Sequence, residues 1–495
     1  MDYQLLFNAH QPLAAQARWS RQRQLHDCLR SAIRNGTLAA GVRLLASRTL
    51  AQELGVSRNT VLYAYEQLAT EGFVHTDRHG TVVARLNLAA PPQSTPSALR
   101  TGLSRRTQGL PALANSELSG AFAPGVPALR DFPRTLWRRL LDRAWASLTP
   151  AQLNYADPAG EPALRNAIAD HLRVARGAVL DSAQVFITDG TQSSLDLVAR
   201  AFADPGDKVW LENPGYQGAL AAFRAAQLKP IGILVDEQGL APQPSDWQRH
   251  GPKLIYVTPS HQYPVGSVMS LERRLALIAQ ARSAAALIIE DDYDSEFRHD
   301  GPPLACLQGL APDAPVLYLG TFSKTLFPGL RIGFVVVPAA LAGPLRALLA
   351  RASPRGRTAD QLALAEFMRS GQFSLHLRRM RRLYRQRRDA LVAALTQQLG
   401  DVAEVLGGSA GMHLALRLRD ARCDDVQISA QLLAQGIMAP ALSLHAVGQR
   451  AQPWRGLLLG YAQVPVAQMD ELVSRLAHVI HHAGRRSPQA CISAH

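Results

Sequence analysis

The chain has 495 residues, with 53 Lys plus Arg against 39 Asp plus Glu and a formal net charge of +14. Its 47% hydrophobic and 19% charged residues suit a globular protein of about three domains and exclude a chain disordered throughout. Apolar runs such as Ala284 to Ile289 and Phe334 to Ala340 stop far short of the roughly 18 residues of a membrane helix. The opening MDYQLLFNAHQPLAAQ has no basic region leading into an apolar one, so no secretory signal, no membrane partner and a cytoplasmic location are expected. Cys28, Cys306, Cys423 and Cys491 lie far apart, without CxxC or zinc-finger spacing, and are expected to be reduced structural thiols with no metal. Lysine occurs only at Lys208, Lys229, Lys253 and Lys324. The remaining positive charge is arginine, which grips phosphates and carboxylates but forms no Schiff base.

In chain order, residues 47 to 86 hold the first motif. Ser47 reads as an N-cap before Leu50, Ala51 and Leu54, and Gly55 ends that short helix. Ser57 caps a second helix whose Val61, Ala64, Tyr65 and Leu68 form a buried face. Two helices joined by such a tight turn make a helix-turn-helix, whose second helix enters the major groove. Arg58, Asn59, Thr60 and Tyr63 fall on its exposed first turns. Asn and Arg suit bidentate base contacts; Thr60, Arg48 and Arg43 suit phosphates. FVHTDRHGTVVA then alternates as a β-hairpin turning near His79 and Gly80, a wing. A helical subdomain with a solvated arginine face fits the spacing equally well. The stretch SRTLAQELGVSRNTVLYAYEQLATEGFV, however, resembles the winged helix-turn-helix of GntR-type bacterial regulators, over roughly residues 20 to 86. The resemblance implies a double-stranded DNA operator as partner, with Ser57 and Gly80 completing the candidate DNA-binding set. The turn DRHG departs from the Gly-Ser-Gly tip common in that family, which weakens the case for minor-groove contacts by the wing.

Residues 91 to 120 are rich in Pro, Ser, Thr and Gly, as in a linker. The expected organisation is a DNA-binding domain over 1–88, a linker over 89–120 and a large domain over 121–495, with lobes over about 150–345 and 346–495. In the large lobe, short apolar runs at residues 185–188, 208–211, 254–257, 286–290, 316–319 and 332–337 alternate with helical segments, which predicts an α/β domain with a largely parallel sheet. The small lobe reads as α+β. After the run QVFIT, Asp189, Gly190, Thr191 and Gln192 open a helix, whose free amides favour a phosphate. LENPGYQG puts Tyr216 on a turn, able to stack on an aromatic ligand. LIIEDDYDSEF ends a buried strand in carboxylates, which calls for a cation, a donor or a metal ion. LGTFSKTLFPGLRIGFVV sets Lys324 just after a strand with Arg331 seven residues on, as a pyridoxal phosphate aldehyde requires.

From about residue 121 to 485 these pieces resemble a fold-type I pyridoxal phosphate aminotransferase, with YADPAGEPALR and GGSAGMHLAL in their proper order. With the winged helix in front, the chain resembles the MocR family of bacterial transcription regulators. The resemblance implies a homodimer with pyridoxal 5'-phosphate as cofactor, and either an amine or amino-acid effector or the cofactor itself as the signal. By motif, Lys324 forms the internal aldimine and Asp291 pairs with the pyridine nitrogen, Asp292 being the second candidate. Tyr293 meets the phenolic oxygen and Tyr216 stacks on the ring. Gly190, Thr191, Gln192, Thr321, Ser323 and Arg331 hold the phosphate. The implied mechanism is an effector amine displacing Lys324; the alternative is a working aminotransferase with a fused DNA-binding domain. Two departures stand out. TPSHQYPVG places His261 or Gln262 near the usual Asn, and RGLLLGYA places Leu458 where the carboxylate-binding arginine stands, leaving Arg455 as a candidate substitute. HLRRMRRLYRQRRD, residues 376 to 389, reads as a solvated helix face or, less simply, an auxiliary DNA contact.

Overall fold

A computed structural model describes residues 1–10, 19–85, 120–311, 313–352, 356–448 and 454–485. The chain divides into two units, Met1–Gly102 and Leu103–His495. Most of the segment expected as a linker lies outside the described residues.

The first unit contains α1 (Tyr3–His10), α2 (Arg21–Arg34), α3 (Ser47–Glu53), α4 (Arg58–Thr70), β1 (Val74–Asp77) and β2 (Gly80–Val83). Leu25, Cys28, Leu29, Ala32 and Ile33 of α2 recur at helical spacing and close on Val61, Ala64, Tyr65 and Leu68 of α4. Cys28 is part of this core, and burial pushes its thiol up to about 12. Gly55 takes the left-handed conformation, φ 63°, that lets the chain turn between α3 and α4. Ser57 caps α4 as expected, its Oγ accepting from the Thr60 amide at 3.2 Å. Ser47 does not cap α3. Extended Ala46 takes that place, so Ser47 is already helical, and its Oγ accepts from Arg58 Nε at 3.4 Å. β1 and β2 pair from Val74↔Val83 to Asp77↔Gly80, which puts Arg78 and His79 in the turn.

The second unit opens with α5 (Arg134–Ala146) and α6 (Pro162–Arg176), followed by an eight-stranded sheet. Its strands are β3 (Val185–Thr188), β4 (Lys208–Asn213), β5 (Lys229–Asp236), β6 (Gly239–Leu240), β7 (Leu254–Val257), β8 (Leu287–Asp292), β9 (Val316–Thr321) and β10 (Gly333–Val336), in the order β3-β10-β9-β8-β7-β4-β5-β6. Helices α7 (Thr191–Phe202), α8 (Gln217–Ala225), α9 (Pro244–His250), α10 (Leu271–Ser283) and α11 (Leu307–Leu310) connect them. The run β5-β4-β7-β8-β9 is parallel, as the alternating pattern requires. β10 is antiparallel to both neighbours, because residues 322–332 make only two short turns and provide no crossover α-helix. The C-terminal ends of β3, β4, β7, β8 and β9 therefore share one edge with the start of β10. Ligands bind at such edges in open α/β sheets.

Helices α12 (Ala339–Ala352), α13 (Thr358–Arg369) and the long α14 (Gln372–Leu399) lead to the small lobe. There an antiparallel sheet, β11 (Ala403–Leu406), β12 (His413–Leu418) and β13 (Gly456–Gly460), packs with α15 (Asp425–Leu433) and α16 (Met469–Arg485). None of the described helices is long and apolar enough to cross a membrane.

Candidate functional sites

In the first unit, Arg48, Arg58, Asn59 and Tyr63 are exposed around the start of α4. Thr60 is not. It is 7% exposed, with its Oγ1 2.9 Å from Ser57 Oγ, so it completes the cap instead of facing a phosphate. The correction follows from helical spacing, because Thr60 lies four residues before the buried Ala64 and on its side of the helix. Arg43 is exposed and joins the wing: it lies 3.6 Å from Asp77, and a Cβ on Gly80 would sit 3.8 Å from its guanidinium.

In the second unit the register assembles the candidate phosphate site. Gly333 is opposite both Thr188 and Thr321, which draws the start of α7 and the end of β9 together around it. A Cβ on Gly333 would lie 2.8 Å from Gly190 Cα. Gly190, with φ 96°, leaves the first amides of α7, at Thr191 and Gln192, without helical partners. A Cβ on Gly190 would be 3.5 Å from the guanidinium atoms of Arg331, so that cation lies over the positive end of a helix. Two such positive groups belong together only around an anion. Thr321 and Ser323 are buried beside them, the Ser323 amide donating to Thr321 Oγ1 at 3.2 Å.

Lys324 follows directly. Its Nζ donates to the Gly125 carbonyl at 2.9 Å, and Gly125 has φ 72°, where an added Cβ would fall 2.6 Å from that nitrogen. Burial lowers the Lys324 pKa and Arg331 adds to this, against the opposing pull of Asp294 and Asp291. A lysine so placed is neutral more often and hence more nucleophilic.

Adjacent residues of a strand face opposite sides of its sheet, which separates the carboxylates of β8. Asp292 pairs with buried Arg176 at 2.7 Å and accepts from Tyr318 Oη at 2.5 Å, so the second candidate for the pyridine partner is already neutralised. Glu290 shares that face and accepts from the Leu307 amide at 2.8 Å. Asp291 is 4% exposed on the other face; Tyr256 Oη donates to its Oδ2 at 2.7 Å, while its Oδ1 is buried without a partner. Burial pushes its carboxyl up to about 7.

Aromatic residues complete the cleft. Tyr216 precedes α8 and folds back over Gly218, where a Cβ would lie 2.4 Å from its ring. Its ring meets that of Tyr263 edge-on at 5.6 Å, and burial, then Asp291, pushes its hydroxyl up to about 12. Tyr293 Oη donates to the His261 carbonyl at 2.9 Å. His261 is 2% exposed behind it, with Nδ1 3.2 Å from both Asp294 oxygens. Gln262 donates to Glu212, Pro214 and Tyr263, so it braces the loop. The position after these two is the one that enters the site: Tyr263 packs against Tyr216, Tyr293, His413 and His445. Among the described residues, His261, Asp294 and His413 lie close enough to share an ion. Asp294 already directs both oxygens to His261.

Arg455 does not replace the missing clamp. It stands three residues before Leu458, an odd offset that puts it on the opposite face of the strand. There its Nη1 meets Asp425 Oδ1 at 3.1 Å, and Asp425 also accepts from Ser443 and from the Gly456 amide. Leu458 is fully buried with Ala415 and Leu442, packed by Tyr263 and Trp454. The arginines of α14 are largely engaged as well. Arg381, Arg385, Arg387 and Arg388 donate to the carbonyls of Glu296, His299, Ala462 and Gly408, and Arg379 pairs with Asp131 at 3.3 Å.

The fold and these two sites define a class: a winged helix in one chain with the pyridoxal phosphate-dependent transferase fold. The family model "Aminotransferase class I and II" matches residues 129–476, and "Bacterial regulatory proteins, gntR family" matches residues 21–83. The probable rhizopine catabolism regulatory protein MocR of Rhizobium meliloti is 38% identical over 466 residues, 92% of each chain. The pyridoxine biosynthesis transcriptional regulator PdxR of Corynebacterium glutamicum is 33% identical, over 93% of this chain and 94% of its own. Among solved structures, kynurenine aminotransferase of Pyrococcus horikoshii, in complex with PMP, superposes with a TM-score of 0.70 at 26% identity, covering 77% of this chain and 97% of that one. The chain belongs to the MocR family of GntR-type regulators, which carry an aminotransferase class I and II domain.

Proposed function

We propose that the chain is a transcription regulator that holds operator DNA through α3, α4 and the wing, and binds pyridoxal phosphate at Lys324 to sense an amine or the cofactor itself. The observation that carries this reading is the buried Lys324 amine beside the unpartnered Asp291 Oδ1 and the Arg331 guanidinium set over the start of α7. These groups fit the cofactor: an acceptor for a protonated ring nitrogen, a cup for a phosphate and an amine for an aldehyde. Bound there, pyridoxal phosphate supplies an aldehyde that condenses reversibly with amines.

The protein's own residues then act as follows. Asp291 holds a proton on the ring nitrogen through Oδ1, and Tyr256 fixes that carboxylate from its other oxygen. The α7 amides, Thr321, Ser323 and Arg331 anchor the phosphate. Tyr216 covers the ring, and Tyr293 orients its hydroxyl side. Lys324, whose Nζ is held at the Gly125 carbonyl, would be the amine with which an effector competes for that aldehyde, and differential affinity of the effector for two arrangements of the chain would pass to the DNA-binding unit. A homodimer and a cytoplasmic location accompany this reading, and the exposed apolar residues Trp145, Leu153 and Tyr155 suit a subunit contact. The test is the visible absorbance that purified protein retains after incubation with pyridoxal phosphate and removal of the free cofactor by gel filtration. The wild type is expected to develop it and Lys324→Ala to lose it; a wild type that stays colourless sinks the reading.

A further inference from the structure

We propose that the effector is a primary amine carrying hydroxyl groups and no α-carboxylate, read by the unpartnered ring nitrogens of His413 and His445 beside Tyr263. This rests on the reading of Lys324 as the cofactor's lysine and specifies what the same cleft accepts.

The small-lobe sheet provides the first observation. β12 pairs with β13 so that His413 lies opposite Gly460 and Ala415 opposite Leu458, and residues paired or two apart share a face. The face that brings His413 to Tyr263 and Tyr293 therefore continues into Ala415 and the fully buried Leu458. Arg417, next along that face, is exposed and paired with Glu404. Arg455 is on the other face with Asp425. A carboxylate brought here meets alkyl groups and neutral rings, and a buried charge without a counter-ion is strongly unfavourable.

The second observation is two buried nitrogens. His413 Nε2 and His445 Nδ1 have no hydrogen-bond partner, although the residues are only 2% and 8% exposed. Unsatisfied buried polar atoms are exceptions that call for an explanation, a ligand among them. Both rings lie edge-on to Tyr263, at 5.4 and 5.3 Å, and Tyr263 in turn meets Tyr216. Burial lowers the His445 ring to about 4 and His413 well below its ordinary range, with neighbouring His261 and then Lys324 adding to the effect on His413. A neutral imidazole nitrogen donates or accepts one hydrogen bond, as a hydroxyl needs, and cannot neutralise a carboxylate. Sites built to bond a hydroxyl also reject analogues that lack it.

The experiment uses the full chain loaded with pyridoxal phosphate. Serinol, L-serine and isopropylamine are titrated separately, following the change in visible absorbance and, independently, the heat of binding. Serinol and L-serine differ by a hydroxymethyl in place of a carboxylate; isopropylamine has neither group. Serinol is expected to half-saturate at a concentration at least about tenfold below either of the others. In His413→Leu and His445→Leu the ratio of serinol to isopropylamine affinity should collapse toward one, and His413→Gln, which keeps a neutral hydrogen-bonding group, should restore part of it. L-serine binding as well as serinol, or a serinol preference untouched in both leucine variants, overturns the proposal. Protein that takes up the cofactor yet shows no serinol preference refutes this inference alone. Protein that never develops the absorbance refutes the assignment of Lys324 and this inference with it.

Discussion

Asp291 and Asp292 are chain neighbours with opposite surroundings: one is neutralised by Arg176, the other keeps a bare oxygen in the cleft. For Asp291 the folded carboxyl titrates at about 7, above its value near 3.9 in an unfolded chain. The folded state thus binds the extra proton between those values, so this residue's contribution to stability falls as pH rises through the window. Cofactor-free Asp291→Asn should then be more stable than wild type at pH 8, by up to about 4 kcal/mol as a ceiling and visible as a higher unfolding temperature, with the gap closing toward pH 4. Thermal scans at several pH values check this, and equal midpoints at pH 8 would contradict it. The same variant should bind pyridoxal phosphate more weakly, having lost the charge that holds a protonated ring nitrogen.

Legibility at this scale divides along one line. Lys324, Asp291, Tyr293, Tyr216 and Arg331 stand in short motifs beside strand ends and could be read from the chain. Tyr263 and His413 lie inside motifs of the resemblance, TPSHQYPVG and GGSAGMHLAL, but nothing in those motifs singles them out, and Gly125 and His445 reach the cleft from segments without any motif. Arg455 misled because nearness in sequence says nothing about which face of a strand a side chain occupies.

At the scale of elements, the start of α4 was largely legible, since a capping serine and a four-residue apolar spacing are local signals. Ser57→Ala removes the acceptor of the Thr60 amide and should cost about 1 kcal/mol. Hydrogen exchange should show this as faster exchange in the first turn of α4, with the large unit unchanged. The strands of the large sheet were legible as apolar runs, but the reversed direction of β10 was not, because it depends on the lack of a helix between two strands. β5 was missed as well: Pro230 and Gly232 break its pattern, and Gly232 is required because a Cβ there would lie 2.1 Å from the Val447 carbonyl. For α14, arginines that looked like a solvated or DNA-facing surface mostly clamp carbonyls of other segments. Reversing exposed Arg378 and Arg382 to Glu should therefore leave the salt dependence of operator binding unchanged. A flatter dependence would show that the helix touches phosphates.

Taken as a whole molecule, the +14 charge is a poor guide to where DNA binds. The first 90 residues hold ten Arg against six acids, a net of only +4. The winged helix is recognised by its packing and by a few exposed side chains. Loss of the carboxylate clamp also bears on turnover. With L-alanine and a keto acid, the cofactor-loaded protein should form at most about one product per protein chain, counted by keto-acid release. Sustained production beyond that favours the working aminotransferase.

Gly333 carries a consequence for genetics. It stands where the start of α7 and the end of β9 converge, and the winged helix keeps a core of its own. A missense change to alanine at this codon, which lies outside the winged-helix unit, presses a methyl group onto the Gly190 backbone and spreads the candidate phosphate cup. Such an allele should yield a full-length regulator that still occupies its promoter yet is deaf to its signal, a phenotype easily mistaken for an operator mutation.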